Sequence, residues 1–453
     1  MRKSCKLLLL GTALAATLTI SAGAANFTNC ADTLKQMDLF SGTDKGYELD
    51  RTPTRAEAAV MLVRLLGGEK DATATVRTTP FTDVPNWAAP YVGWLYENKL
   101  TAGATATTYD TNGSCTAQMY ATFLLRSLGY ADTGAAPDFL YANAISFAKD
   151  KGVVDFANCD TNNFLRDHVV AMSYTALSVQ PKDGKNDTLL DQLIASGAVD
   201  AAKAADAKTT FATFKEYAKL SEASNQISNM AMKVKTTANI KMNGASVMDM
   251  TMDMDLKTNM DLNKLDNSKL SMVGKTTATL DKSLVEAGEP TTQTVDTAAY
   301  YTAGNYYIKN GDEKIKIPMS FDDVLSGMSL NELQKQQPIC IYKSIAKNSD
   351  GSYSLSMAPE FVNGLTDSII GQQIDLGVGS SDAIQLERFN LTVIPKNGAL
   401  NAMKADVALT MITEGQKMSM SMNMDYTITA TGSSVTVSLP SDLNTYQTLS
   451  ITD

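Results

Sequence analysis

The chain has 453 residues, 44% of them hydrophobic, and carries a formal net charge of −10 at pH 7. Its length exceeds what one core supports, so two or three domains are expected. The negative charge argues against nucleic acid or an anionic membrane surface as main partner, and the single histidine, His168, removes histidine triads and multi-histidine metal sites.

The chain opens with a positive segment (Arg2, Lys3, Lys6), an apolar run from Leu7, and the small-residue site Ala22-Gly23-Ala24. That order predicts a secretory signal peptide over residues 1–25, too short for a membrane span. Beyond it no window approaches the ~18 apolar residues of a spanning helix. Cys30, Cys115, Cys159 and Cys340 are far apart with no C-x-x-C, so neither a zinc site nor a disulfide framework is indicated, and whether any pair stays open.

Between Phe27 and Gln180 the sequence repeats itself. "YELDRTPTRAEAAVMLVRLLGG" (Tyr47 to Gly68) aligns without gaps on "YDTNGSCTAQMYATFLLRSLGY" (Tyr109 to Tyr130), and "NFLRDHVVAMSYTALSV" from Asn163 is a weaker third copy. Each copy is a turn-rich loop feeding an apolar helix, with Ala58, Met61, Leu62, Leu65 and Leu66 at helical spacing in the first. A second helix lies upstream of the loop, marked by Val92, Leu95, Tyr96 and Leu100 in the second copy. The copies span residues 26–68, 80–130 and 137–180. Thr54-x-x-Glu57 is a capping box and is assigned to structure. His168 is expected as a surface or half-buried helix residue.

These residues resemble the S-layer homology family: Phe81, Asp83, Val84 and Trp87 match its F-x-D-V opening and tryptophan, and Thr54-Arg55-Ala56-Glu57 matches its T-R-A-E motif. The resemblance implies an all-α, three-repeat module that clamps anionic, often pyruvylated, wall polysaccharide of a Gram-positive-type cell. By that resemblance Arg55 and Arg166 are polymer-facing cations, and Asp83 and Trp87 shape a groove. Arginine at a helix start suits this chemistry, offering a planar fork beside the positive helix end. The second copy has Ala117 at the arginine position.

Residues 181–205 read as a linker. From Asp206 an amphipathic helix, with Phe211, Phe214, Ala218 and Ile227 near one stripe, gives way to period-two alternation. Met230, Met232, Val234, Ala238, Ile240 and Met242 share one parity. Asn243-Gly244 marks a hairpin, and a long strand over Val247 to Leu262 follows. Further turns fall at Gly304-Asn305, Asn310-Gly311, Asp350-Gly351, Asn397-Gly398, Glu414-Gly415 and Gly432, with helices over Ser320 to Gln336 and Glu360 to Gln372. Residues 206–453 therefore read as a curved antiparallel half-barrel wrapped by about three helices, and the whole chain as α+β multidomain.

That layout resembles the LolA/LppX type of lipoprotein-carrier fold, which implies a concave face able to hold an acyl chain or another apolar ligand. Met248, Met250, Met252 and Met254, with Met418, Met420, Met422 and Met424, would form that face. Methionine is unbranched and polarizable and adapts to varied partners. The alternative is that these methionines are ordinary core. Asp249, Asp253, Asp255 and Asp261 read as a solvated strand face. Neither a nucleophile elbow nor a phosphate loop occurs, so no enzyme activity, cofactor or metal is expected. The expectation is a secreted cell-surface protein held non-covalently by wall polysaccharide and displaying a lipid-binding domain. A structural envelope component without a small-molecule ligand is the runner-up.

Overall fold

The computed structural model describes residues 27–155, 157–225, 227–261, 263–321, 323–324, 338–358, 381–413 and 416–448. The expected signal peptide, most of the helix expected over Ser320 to Gln336, all of that over Glu360 to Gln372, and the expected Glu414-Gly415 turn lie outside them. The chain divides into two compact units. One takes in the described residues up to Phe214 together with Pro338–Lys343; the other takes in the rest from Lys215.

The first unit is helical: α1 (Thr28–Gln36), α2 (Arg55–Leu65), α3 (Glu69–Ala74), α4 (Ala89–Glu97), α5 (Ala117–Ser127), α6 (Ala144–Asp150), α7 (Arg166–Leu177), α8 (Leu189–Ala195) and the start of α9 (Ala205–Asn225). Helices α3 and α8 stand beyond the two per copy expected. The stretch 181–205, expected as a linker, contains α8, whose Leu189, Leu190 and Leu193 are buried. Helix α2 packs on α4 and α5 on α6, while α7 packs back on α1. The capping box is formed in full: the Thr54 hydroxyl accepts the Glu57 N–H at 3.2 Å and the Glu57 carboxylate accepts the Thr54 N–H at 2.8 Å. At α7 the Nδ1 of His168 accepts the Leu165 N–H at 2.9 Å, doing the work of Glu57. His168 is buried, where a surface or half-buried residue was expected.

All twelve residues of α7 are buried. A helix surrounded on every side has no polar stripe, which is why the third copy reads weakly in sequence. The six residues Pro338–Lys343 complete this unit. Ile339, Cys340 and Ile341 form a buried 3-10 turn, and the Asn29 amide donates to the carbonyls of Cys340 (3.4 Å) and Tyr342 (3.1 Å).

The second unit is a twelve-stranded open sheet. Its strands are β1 (Asn229–Met242), β2 (Ala245–Asn259), β3 (Lys269–Leu280), β4 (Thr292–Thr302), β5 (Asn305–Asn310), β6 (Glu313–Pro318), β7 (Tyr342–Lys347), β8 (Tyr353–Met357), β9 (Ser381–Lys396), β10 (Ala399–Thr413), β11 (Gln416–Thr431) and β12 (Gln447–Thr448). The order is β12-β6-β5-β4-β3-β2-β1-β11-β10-β9-β8-β7, so β1 pairs with both its hairpin partner β2 and the distant β11. Three expectations are corrected. The sheet is mixed, because β12 pairs parallel with β6 at the edge. The stretch after Gly432, expected as a strand, forms none before Gln447. The turn expected at Gly304-Asn305 sits at Ala303-Gly304, with φ of 49° and 73°. The Asn243-Gly244 and Asn397-Gly398 turns take left-handed φ at both residues, as two-residue hairpins require.

The two faces of the sheet differ in chemistry. On one, Asp296, Lys275, Asp253, Lys235, Asp425 and Lys404 lie opposite one another in a row across six strands, alternating in sign and exposed. Opposite charges directly across strands favour this register and disfavour a slip. The other face carries the methionines.

Candidate functional site

In the helical unit the structure brings Arg55 and Asp83 to one loop. Arg55 starts α2 and is 5% exposed. Its Nε donates to the Tyr109 carbonyl at 2.7 Å, Nη1 points to the Met119 sulfur at 3.1 Å, and the guanidinium lies 5.0 Å from the Tyr109 ring centre. Asp83 accepts the N–H groups of Tyr109 (2.7 Å), Asp110 (2.6 Å) and Thr111 (3.4 Å). Burial works against the ionised Asp83 carboxyl, but those N–H groups hold its pKa below the ordinary value. Trp87, just before α4, is 54% exposed.

Arg166 repeats the Arg55 arrangement elsewhere. It starts α7, is 3% exposed, and donates from Nε to the Tyr47 carbonyl at 3.1 Å, with its guanidinium 5.9 Å from the Phe40 ring. Burial pulls its pKa down, with Arg51 adding to the effect. The backbones agree as well: Arg55 N–H donates to Gly113 and Ala56 N–H to Thr111, as Arg166 N–H donates to Arg51 and Asp167 N–H to Leu49. The gap-free alignment puts Tyr47 on Tyr109, Leu49 on Thr111 and Arg51 on Gly113. Each arginine therefore grips the same loop position of another copy. Tyr47 and Tyr109 escaped attention in the sequence as functional residues, although they head the two aligned segments.

In the sheet unit the two methionine runs flank β1 on one face. Met252 and Met424 lie on either side of Thr236, Met250 and Met422 beside Ala238, and Met248 and Met420 beside Ile240; Met418 faces Met242. Met248, Met250, Met252, Met254 and Met420 are buried, while Met418, Met422 and Met424 are half-buried. The next strands outward are small again, with Thr276 and Ala278 on β3 and Ala405 and Val407 on β10. Small residues thus stand beside the methionines at these positions, with the larger Val234 and Ile240 on β1 at either end. Neighbouring strands are about 4.8 Å apart, so the two methionine rows stand roughly 10 Å apart, with Thr236 and Ala238 buried between them. Gly274 lets one row close: a Cβ there would lie 1.9 Å from the Asp253 carbonyl and 2.7 Å from the Met254 sulfur.

Among the described residues no helix is long and apolar enough to cross a membrane, and no cluster of three or more metal-ligating side chains occurs. No curated protein matches the chain. Among solved structures, LprF from Mycobacterium bovis is similar at 15% identity and a TM-score of 0.27, over 51% of this chain and 97% of that one. The S-type phycobiliprotein lyase CPES from Guillardia theta is similar at 7% identity and a TM-score of 0.17, over 46% of this chain and 90% of that one. Residues 80–116, which hold Asp83, Trp87 and the Tyr109–Thr111 loop, match the S-layer homology domain.

Proposed function

We propose that the exported chain is held at the cell surface by its helical unit, which binds anionic and often pyruvylated wall polysaccharide, while its sheet unit binds a lipid-like ligand on the methionine face. The S-layer homology match over residues 80–116 carries the anchoring half of this reading. Within it, exposed Trp87 offers a flat apolar surface for a sugar ring. Arg55, Arg166 and Asp83 serve polymer binding by fixing the loops that line the groove, since their polar atoms already bond those loops.

Sedimentation with purified wall polysaccharide tests the anchoring. Trp87→Ala should weaken binding without changing stability, because the indole is mostly in solvent; retention of full binding would sink the assignment. For the sheet unit, native mass spectrometry of the full chain purified from cells, followed by solvent extraction, should release an apolar adduct. The burial of Met248–Met254 supports a second reading, in which the face is core and the protein is a structural envelope component. A clean apo mass would favour that reading.

A further inference from the structure

Beside β8 and the β9–β10 hairpin the sheet unit holds a pocket of about 390 Å³ whose lining includes Glu216, Lys219, Lys347, Tyr353 and Lys396. Lys347 is committed: its Nζ lies 2.6 Å from Glu216 Oε2, which also accepts the Tyr353 hydroxyl at 3.2 Å. Lys219 and Lys396 have no ion-pair partner among the described residues. The pocket therefore presents two cations outside its ion pair, Lys219 also acting at longer range on the Glu216 carboxylate, on a chain whose net charge is −10.

Tyr353 joins this pocket to the methionine face. It lies opposite Val393, which faces Met403, then Tyr426, Val234 and Met254 in one row across the sheet. Residues opposed in neighbouring antiparallel strands share a face. Helix α9 borders the same place: the Tyr217 ring lies 6.0 Å from that of Tyr353, and Ser224 Oγ accepts the Leu400 N–H at 3.0 Å. A cationic pocket and an apolar row that crosses the sheet to the methionines thus lie on one face, which is the layout an amphiphile requires.

We propose that this pocket is the head-group subsite of the apolar-ligand site, and that the ligand is a single-chain amphiphile with an anionic head. Lys219 and Lys396 receive the head group, and the chain follows the row Val393, Met403, Tyr426 and Val234 toward Met254. The assignment rests on the reading of the methionine face given above. A cationic head of the same chain length meets like charge at the pocket, so head-group sign is the discriminating variable.

The test titrates the full chain with dodecyl phosphate, dodecyltrimethylammonium and inorganic phosphate by calorimetry. Dodecyl phosphate should bind saturably and about tenfold or more tighter than the cationic probe. Lys219→Glu combined with Lys396→Glu should erase that preference, and Met403→Asp, which sets a charge in the row the chain follows, should weaken both dodecyl probes alike. Octyl phosphate on the wild-type chain gives the same information without a core change, and should bind more weakly than dodecyl phosphate. Equal affinity for the two dodecyl heads, or a preference that survives the double reversal, would overturn the head-group assignment and leave the methionine face standing. Inorganic phosphate binding as tightly as dodecyl phosphate would make the pocket a free-anion site and overturn the amphiphile. Failure of every dodecyl probe to bind would overturn the reading of the face itself.

Discussion

Arg166 and Tyr47 are 119 residues apart in the chain, and the Nε of one donates to the backbone carbonyl of the other at 3.1 Å. Arg55 makes the same bond to Tyr109 at 2.7 Å. A bond that recurs at matching positions of two copies belongs to the way the copies dock. Replacing either arginine by glutamine should lower stability by roughly 1–3 kcal/mol, because a carbonyl that is buried at Tyr109 and part-buried at Tyr47 loses its donor. Lysine should recover only part of this, lacking the planar fork. Urea midpoints of Arg55→Gln and Arg166→Gln decide the matter. Unchanged stability with lost polysaccharide binding would instead put the guanidinium on the polymer.

His168 gives the helical unit an acid-sensitive element. Its Nδ1 can accept the Leu165 N–H only when unprotonated, and its ring stacks on Phe164 at 5.8 Å. Burial holds its pKa below the ordinary value, with Asp160 pulling the other way. The unfolded chain, with a histidine pKa of about 6.5, then takes up the proton first. Stability is complete above that value and declines as pH falls from about 6.5 through the lower folded pKa. His168→Gln keeps an acceptor that does not titrate. Its urea midpoint should therefore fall less than that of wild type between about pH 7 and about pH 5. Equal declines would place the acid sensitivity on another group.

The charged row across the sheet predicts a salt-dependent effect. Lys235 lies between Asp253 and Asp425, so Lys235→Glu sets three carboxylates side by side. The variant should unfold at a lower urea concentration than wild type at low ionic strength, and the gap should shrink in high salt, because exposed charges are screened. A gap that salt leaves unchanged would mean that the lysine stem, not its charge, does the stabilising.

The residues that were legible from sequence share one property: their signal is local. Asn243-Gly244 and Asn397-Gly398 declare their turns because few other pairs tolerate two left-handed residues in succession. The alternation of Met248 to Leu256 declares a two-faced strand, and Thr54 with Glu57 declares a helix start. What stayed hidden depends on distant partners. Nothing near β1 says that its second neighbour is β11, so the placing of the two methionine runs on either side of β1 is written in neither run. Helix α7 lost its stripe by being buried all round. Of the candidate polymer-binding residues, the types and positions were readable, but the burial of Arg55 and Arg166 was not, since Tyr109 and Tyr47 belong to other copies.

Gly274 tests how tightly the methionine face is built. In a strand interior alanine ordinarily stabilises over glycine by roughly 0.5–1 kcal/mol. Here the added Cβ meets the Asp253 carbonyl at 1.9 Å, and backbone cannot swing aside as a side chain does. Gly274→Ala should therefore destabilise, by roughly 1–3 kcal/mol. A stabilised variant would show that β2 and β3 can part at this point without cost.

The segment Pro338–Lys343 leads to the last expectation. Ile339 and Ile341 are 1% and 0% exposed, in a unit otherwise built from residues before Lys215. Ile341→Asp removes an apolar side chain from that core and leaves a carboxylate there without water, so the loss should exceed the roughly 2–5 kcal/mol of a large-to-small change. The readout can be confined to the helical unit, because both tryptophans of the chain, Trp87 and Trp94, lie in it. Tryptophan fluorescence should show the unfolding transition shifted to lower urea in Ile341→Asp and unmoved in the exposed control Lys343→Asp. If the tryptophan transition ignores Ile341→Asp, the six residues ride on the unit without supporting it. If it shifts, a fragment ending before residue 338 lacks part of its own core, and its polysaccharide binding will understate that of the intact chain.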